Sequence, residues 1–170
     1  MQSPCVVKSG PEWKSVGTRF IGQYLQKLDA KHRVVVPRAF RELIGEEEVR
    51  AGLFLTRGLD KCLFLFPASQ WDSVAEEIAA ADLRGFNARM VQRFFFGDAV
   101  HVDPDKLGRV LLPDHLRQLA GIEDEAIFVG TSNRIELWNP DRWKALREAH
   151  EAQFEELTES LYQLRPAGER

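Results

Sequence analysis

Two acid–base pairs recur in this chain at one spacing. Asp29 and Arg33 stand in "LDAKHRVVVP", and Asp105 and Arg109 stand in "DKLGRVLLP". An Asp that opens a tight turn accepts backbone N–H bonds. An Arg four residues later returns across the hairpin and pairs with its carboxylate. This chemistry makes Asp29, Asp105 and Arg109 turn-building residues. Arg33 has the same spacing in a different setting, because residues 19–45 carry a balance of +4 whereas 93–121 are neutral. Cations at a turn neutralise phosphates and displace counterions, and the Arg fork fits guanine O6 and N7. Asp29 is therefore expected to hold the first turn while Arg33 projects as the main nucleic-acid contact. Lys31, His32, Arg38 and Lys27 are expected to support it. The plainer reading of the same residues is a solvated basic surface.

Other chemistries find little footing. The histidines His32, His101, His115 and His150 share no metal-ligand spacing with a carboxylate or a cysteine. There is no GxSxG elbow and no Gly-rich phosphate loop. Cys62 sits in an apolar strand pattern, which suits a buried, inert thiol. His150 falls on the apolar side of the last helical pattern and is expected to be packed there. The expectation is a protein without catalytic residues, cofactor or metal. An enzyme built on Cys62 or His101 is the outlying alternative. Cys5 and Cys62 form no framework, which fits a reducing cytoplasm. No apolar run approaches membrane length, and the first residues lack the apolar core of a secretory signal.

The elements that must position these residues come from a repeat. Position n matches n+76 at Phe20/Phe96, Asp29/Asp105, Arg33/Arg109, Val34/Val110, Pro37/Pro113, Arg41/Arg117, Leu43/Leu119 and Gly45/Gly121. Further on, the offset is 72, with Leu65/Leu137 and Trp71/Trp143. Each unit reads as a strand (Phe20 to Leu28; Ala99 to Val102), the Asp turn and a return strand. A short helix follows over Arg38–Ile44 or Asp114–Ala120, then two more strands and a longer helix. Pro37 and Pro113 suit the first helical position, and Gly45 and Gly121 the position after the helix. Between the units, Asn87 can cap a linking helix whose stripe of Met90, Val91, Phe94 and Phe95 reads as core. The last helix carries a seam of Trp143, Leu146, His150, Phe154, Leu157, Leu161 and Leu164, with acids outside it. Its second half is expected to pack on a neighbouring subunit or on the first unit. The resulting division is a disordered extension over 1–18, a first unit over 19–81, a linking helix over 82–95, a second unit over 96–146 and a C-terminal helix and tail over 147–170. A unit near 60 residues buries little alone, so the two should share a core about a pseudo-two-fold.

The stretches "RFIGQYLQKLDAKHRVVVPRAFRE", "DKLGRVLLP" and "LFLTRGLDKCLFLFPASQW", in that order, resemble the MraZ family of bacterial transcriptional regulators. The resemblance covers about residues 19–160. It implies an α+β fold of two tandem AbrB-like swapped-hairpin units forming a pseudo-two-fold, barrel-like body. It also implies a cytoplasmic, nucleoid-associated protein that assembles into homo-oligomeric rings. Such a protein would bind double-stranded DNA at short direct repeats ahead of the division and cell-wall gene cluster, typically as a repressor of its own operon as well. Two departures stand out. Residues 1–19 precede the point where the family chain usually starts, and His32 replaces the family's Gly in the first turn, where Gly108 remains in the second. A chain of the same fold that has lost specific DNA binding, acting as an oligomeric interaction protein, is the alternative.

Overall fold

The computed structural model describes residues 19–80 and 84–163, with side chains through Leu161. The extension over 1–18 and Leu164 lie outside the described residues. In chain order the elements are β1 (Gln23–Lys27), β2 (Arg33–Val35), α1 (Arg38–Ile44), α2 (Glu46–Ala51), β3 (Leu53–Arg57), β4 (Leu63–Pro67), α3 (Ala68–Ala79) and α4 (Phe86–Gly97). The second half repeats the plan with β5 (Val100–Val102), β6 (Arg109–Leu111), α5 (Asp114–Ala120), β7 (Glu125–Gly130), β8 (Ile135–Trp138), α6 (Pro140–His150) and α7 (Phe154–Gln163).

Strand pairing interleaves the halves. β1 pairs with β7, and β5 pairs with β3, so each unit lends its first strand to the third strand of the other. Two further pairings lie on the pseudo-two-fold itself. Val34 of β2 faces Val110 of β6, its own repeat equivalent, and Phe64 of β4 faces Glu136 of β8, likewise its equivalent. The result is an antiparallel sheet in the order β1-β7-β8-β4-β3-β5, plus the separate ribbon β2-β6. The expected barrel-like closure is corrected here. β2 and β6 pair with each other rather than bridging the edges, so β1 and the short β5 stay unjoined.

One core fills the space between the sheet, the ribbon and the short helices. It includes Phe20, Val34, Phe40, Leu55, Leu65, Val110, Leu116, Phe128 and Leu137, all fully buried. The alternation of inward and outward side chains along each strand places Leu55, Leu65, Phe128 and Leu137 on one face of the sheet, and Phe40 of α1 and Leu116 of α5 join the same core from the short helices. On the opposite face of the sheet, α3 and α4 cover β3 and β4 through an aromatic cluster of Phe54, Phe66, Trp71 and Phe95. α6 covers β7 and β8 through Trp138, Trp143 and Leu146.

Several local expectations shift. Pro37 and Pro113 stand one residue earlier than expected, as the extended residue before the helix. α2 was not anticipated; "EEEVR" has no apolar period, and Glu48 accepts the Ser69 N–H at 2.8 Å at the start of α3. Asn87 lies inside α4, because Gly85 in extended conformation begins that helix without a side-chain cap. Of the α4 stripe only Phe95 is buried; Val91 and Phe94 are exposed. The helix is held by one edge, where the buried Thr56 hydroxyl donates to the Phe95 carbonyl at 2.6 Å. The last helix is not continuous. A 3-10 turn at Glu151–Gln153 separates α6 from α7 and breaks the seam's register. His150 is therefore exposed, with Nδ1 3.2 Å from Gln153 Oε1, and Phe154, Leu157 and Leu161 face outward.

Candidate nucleic-acid interface

The first turn is built by Asp29. Its Oδ1 accepts the backbone N–H of Lys31 at 2.9 Å and of Arg33 at 3.0 Å. Its carbonyl accepts the His32 N–H at 2.9 Å, and its own N–H donates to the Arg33 carbonyl at 2.8 Å. The second turn repeats this with Asp105, Leu107, Gly108 and Arg109 at distances within 0.1 Å of the first. Both turns need a left-handed residue at the third position. Gly108 has φ 75° and His32 has φ 57°. Histidine tolerates that region better than most residues, at a cost glycine avoids. The His32 Nδ1 lies 3.4 Å from Asp114 Oδ1, tying the first turn to the start of α5.

Arg33 is held by the acid of its own turn while staying partly exposed. Its Nε and terminal nitrogen donate to Asp29 Oδ2 at 2.9 and 2.7 Å. Arg109 grips Asp105 Oδ2 in the same way, at 2.7 Å from both nitrogens. The ribbon sets the two pairs side by side, so each Arg also reaches the other unit's acid. Arg109 lies 3.3 Å from Asp29, and Arg33 lies 3.6 Å from Asp105. The four side chains are a quarter to a third exposed. Hydrogen bonds from the paired Arg, then backbone N–H groups, hold the carboxyls of Asp29 and Asp105 down at about 2. The hydrogen bond to Asp105 likewise raises the Arg109 guanidinium above its ordinary value.

The remaining candidates surround the first tip. Lys31 is exposed and has no ion pair among the described residues. Lys27 is exposed and 4.0 Å from Glu125. Arg38 is exposed but bound to Glu42 at 2.6 Å. Arg41 turns inward, donating Nε–H to the Val36 carbonyl at 3.0 Å. Much of the +4 balance is thus already matched by acids or carbonyls, and Lys31 and Lys27 keep the freest charge. The ribbon also brings up a cation that charge sums concealed. Lys106, in the second turn, is exposed beside Asp105 in a neutral segment. Its repeat position, n+76 from Ala30, was the signal that could have found it.

The residues of the alternative chemistry are placed otherwise. Cys62 is 1% exposed, and burial pushes its thiol far up. His101 Nε2 sits 3.0 Å from the Ala51 carbonyl, and its Nδ1 lies 3.5 Å from Asp103. Among the described residues no group of three or more His, Cys, Asp or Glu could hold a metal ion. No described helix is long and apolar enough to cross a membrane.

Comparison with known proteins agrees with this doubled plan. The family model described as "MraZ protein, putative antitoxin-like" matches twice, over residues 20–94 and 95–165. The chain is 40% identical over 141 residues to the "Transcriptional regulator MraZ" of Caldanaerobacter subterraneus subsp. tengcongensis, covering 83% of this chain and 95% of that one. It is 39% identical over 142 residues to the proteins of the same name from Carboxydothermus hydrogenoformans and Pediococcus pentosaceus, covering 84% of this chain and 96% of each. With two tandem matches across most of its length and relatives at this identity, the chain belongs to the MraZ family.

Proposed function

We propose that the protein is a sequence-specific DNA-binding transcriptional regulator and not an enzyme. The observation that carries this is the pair of rigid turns set side by side by the β2-β6 ribbon, with Lys31 and His32 at one tip and Lys106 at the other. The names of the relatives support the same reading. In it, Lys31, Lys27, Arg38 and Lys106 meet phosphates, and His32 and Arg33 approach the bases. Arg33 also fixes the turn from beneath. The rival, a chain that has lost DNA binding, rested on His32 in place of glycine. That residue adopts the left-handed conformation the turn requires, so the rival has no specific support.

The finer reading follows the family resemblance. The protein acts in the cytoplasm, associated with the nucleoid, on short direct repeats upstream of the division and cell-wall gene cluster, including its own promoter, and represses there. One pair of turns covers few base pairs, so repeated sites favour a homo-oligomeric ring, whose joined turns gain effective concentration. The exposed Phe86, Val91 and Phe94 of α4 offer apolar surface for such assembly. The test is fluorescence anisotropy with duplex DNA from upstream of the coding region, against the same composition scrambled. Binding that is steeply salt-dependent and specific for spaced repeats is expected. Equal affinity for both duplexes would sink the proposal.

A further inference from the structure

The two turns share one plan but differ at their third residue, and the difference extends to the helix beside each. In the second turn Gly108 leaves open space, and Arg41 of α1 lies across it; a Cβ built on Gly108 would stand 2.8 Å from the Arg41 guanidinium. From there Arg41 donates its Nε–H to the Val36 carbonyl. In the first turn the same place carries the His32 side chain, and Arg117, the repeat equivalent of Arg41, makes other bonds. Its terminal nitrogens donate to the Ile122 carbonyl at 3.2 Å and to Asp114 Oδ1 at 3.4 Å, and its Nε is buried without a partner. Asp114 Oδ1 therefore stands between a permanent cation and the His32 Nδ1, itself 3.4 Å away.

The imidazole is 44% exposed, so it meets both Asp114 and whatever lies over the turn. The groups that face it come from three places. On its own turn are Lys31, Arg33 and Asp29, with Asp29 bound by Arg33 and reached by Arg109. On α5 are Asp114 and Arg117. Between α5 and β7 are Glu123 and Asp124, which line a cleft of about 370 Å³ with His32, Asp29 and Arg117. Asp29 and Asp105 titrate at about 2, so both stay charged near neutral pH. Carboxylates, lysines and arginines ordinarily hold their charge between about pH 6 and 8, whereas imidazole is the side chain that changes charge there. With the imidazole neutral, Asp114, Glu123 and Asp124 outnumber Arg117 on this flank and repel phosphate. A proton on His32 offsets one of these acids at the tip itself. Asp114 favours that proton in the free protein, and a nearby polyanion favours it further.

We propose that His32 makes DNA binding by this chain pH-sensitive: the imidazole, seated against Asp114, takes up a proton as DNA binds and presents a cation from the first turn. Gly108 has no such group, so the response belongs to the first turn alone. The inference rests on the reading of the paired turns as the DNA-binding surface.

The test uses the full-length protein and duplex DNA from upstream of the coding region, with anisotropy titrations at fixed salt from about pH 8 to 6. Wild-type binding should tighten as pH falls, by at most about tenfold per pH unit for each proton taken up. His32→Asn keeps a residue that tolerates the left-handed conformation and removes the titrating group. It should lose most of the response, and so should His32→Gly, which serves if the Asn variant folds poorly. His115→Gln, at an exposed neighbouring histidine of α5, should keep the response. Asp114→Asn should move the response to lower pH, because the acid that favours the charged imidazole is gone. Specific binding with the same pH response in wild type and in both His32 variants overturns the proposal, as does a flat wild-type response. A response that Asp114→Asn leaves in place overturns the seat on Asp114. A wild-type protein that binds no duplex at any pH overturns instead the DNA-binding reading beneath it.

Discussion

Lys31 and Arg33 should weaken DNA binding in different ways, and salt separates them. Lys31 is exposed, with no ion pair among the described residues, whereas Arg33 is bound to Asp29 at 2.7 Å and faces Asp105. A cation already matched by a carboxylate displaces few counterions when it meets a phosphate. A solvated lysine displaces close to one. Lys31→Ala should therefore lower the slope of log K against log salt by about 0.9 for each chain engaged. Between about 50 and 200 mM salt that slope changes the ratio of wild-type to variant affinity by about 3.5-fold per chain, with the larger defect at low salt. Arg33→Ala should cost affinity by a similar factor at every salt concentration, because it loosens the turn and removes the contact to a base. Anisotropy titrations over five or six salt concentrations read both quantities. If Arg33→Ala lowered the slope as much as Lys31→Ala while the turn stayed intact, Arg33 would be an ordinary phosphate contact, and the role drawn from its ion pairs would be wrong.

Acid should undo the Asp–Arg quartet. Asp29 and Asp105 are lowered from 3.8 to about 2, so their contribution to stability is complete above 3.8 and is lost as pH falls through about 2. In acid titration followed by circular dichroism, Asp29→Asn with Asp105→Asn should remove the part of the transition in that window; an unchanged profile would count against the quartet. Thr56→Val keeps the shape but leaves the Phe95 carbonyl without its side-chain donor, and should cost about 1–3 kcal/mol in urea unfolding. His32→Gly removes roughly 1–2 kcal/mol of left-handed strain and returns about 0.5–1 as unfolded-chain entropy, so stability should rise by up to about 1.5 kcal/mol. A loss instead would mean that the Asp114 contact outweighs the strain.

Local chemistry was legible in the sequence, and partner choice was not. The Asp–Arg spacing fixed each turn because all of its bonds fall within four residues. The proline and glycine bounds gave α1 and α5 their residue ranges for the same reason. The cross-links between the turns join residues about eighty positions apart, and nothing in either segment names its partner. The exchange of β1 and β5 is of the same kind. Each strand alternates correctly for a sheet, but alternation does not say which strand lies alongside. α2 was missed because three glutamates and no apolar period leave only an electrostatic preference for a helix N-terminus. The break after α6 was missed because an apolar seam at spacing 3 and 4 continues through Glu151–Gln153 while the backbone tightens to a 3-10 turn there. Segment charge was incomplete in a specific way. It counted Arg33, Arg38 and Arg41 without the acids or carbonyl that each also meets, and it hid Lys106 behind the acids of a neutral unit. The neutral unit is therefore not an idle copy. Asp105 and Arg109 form half of the network that fixes Asp29 and Arg33, so the geometry of the basic turn depends on residues that carry no excess charge of their own. That dependence gives a physical reason for the doubling, since one chain then carries both halves of the support that a lone hairpin would lack.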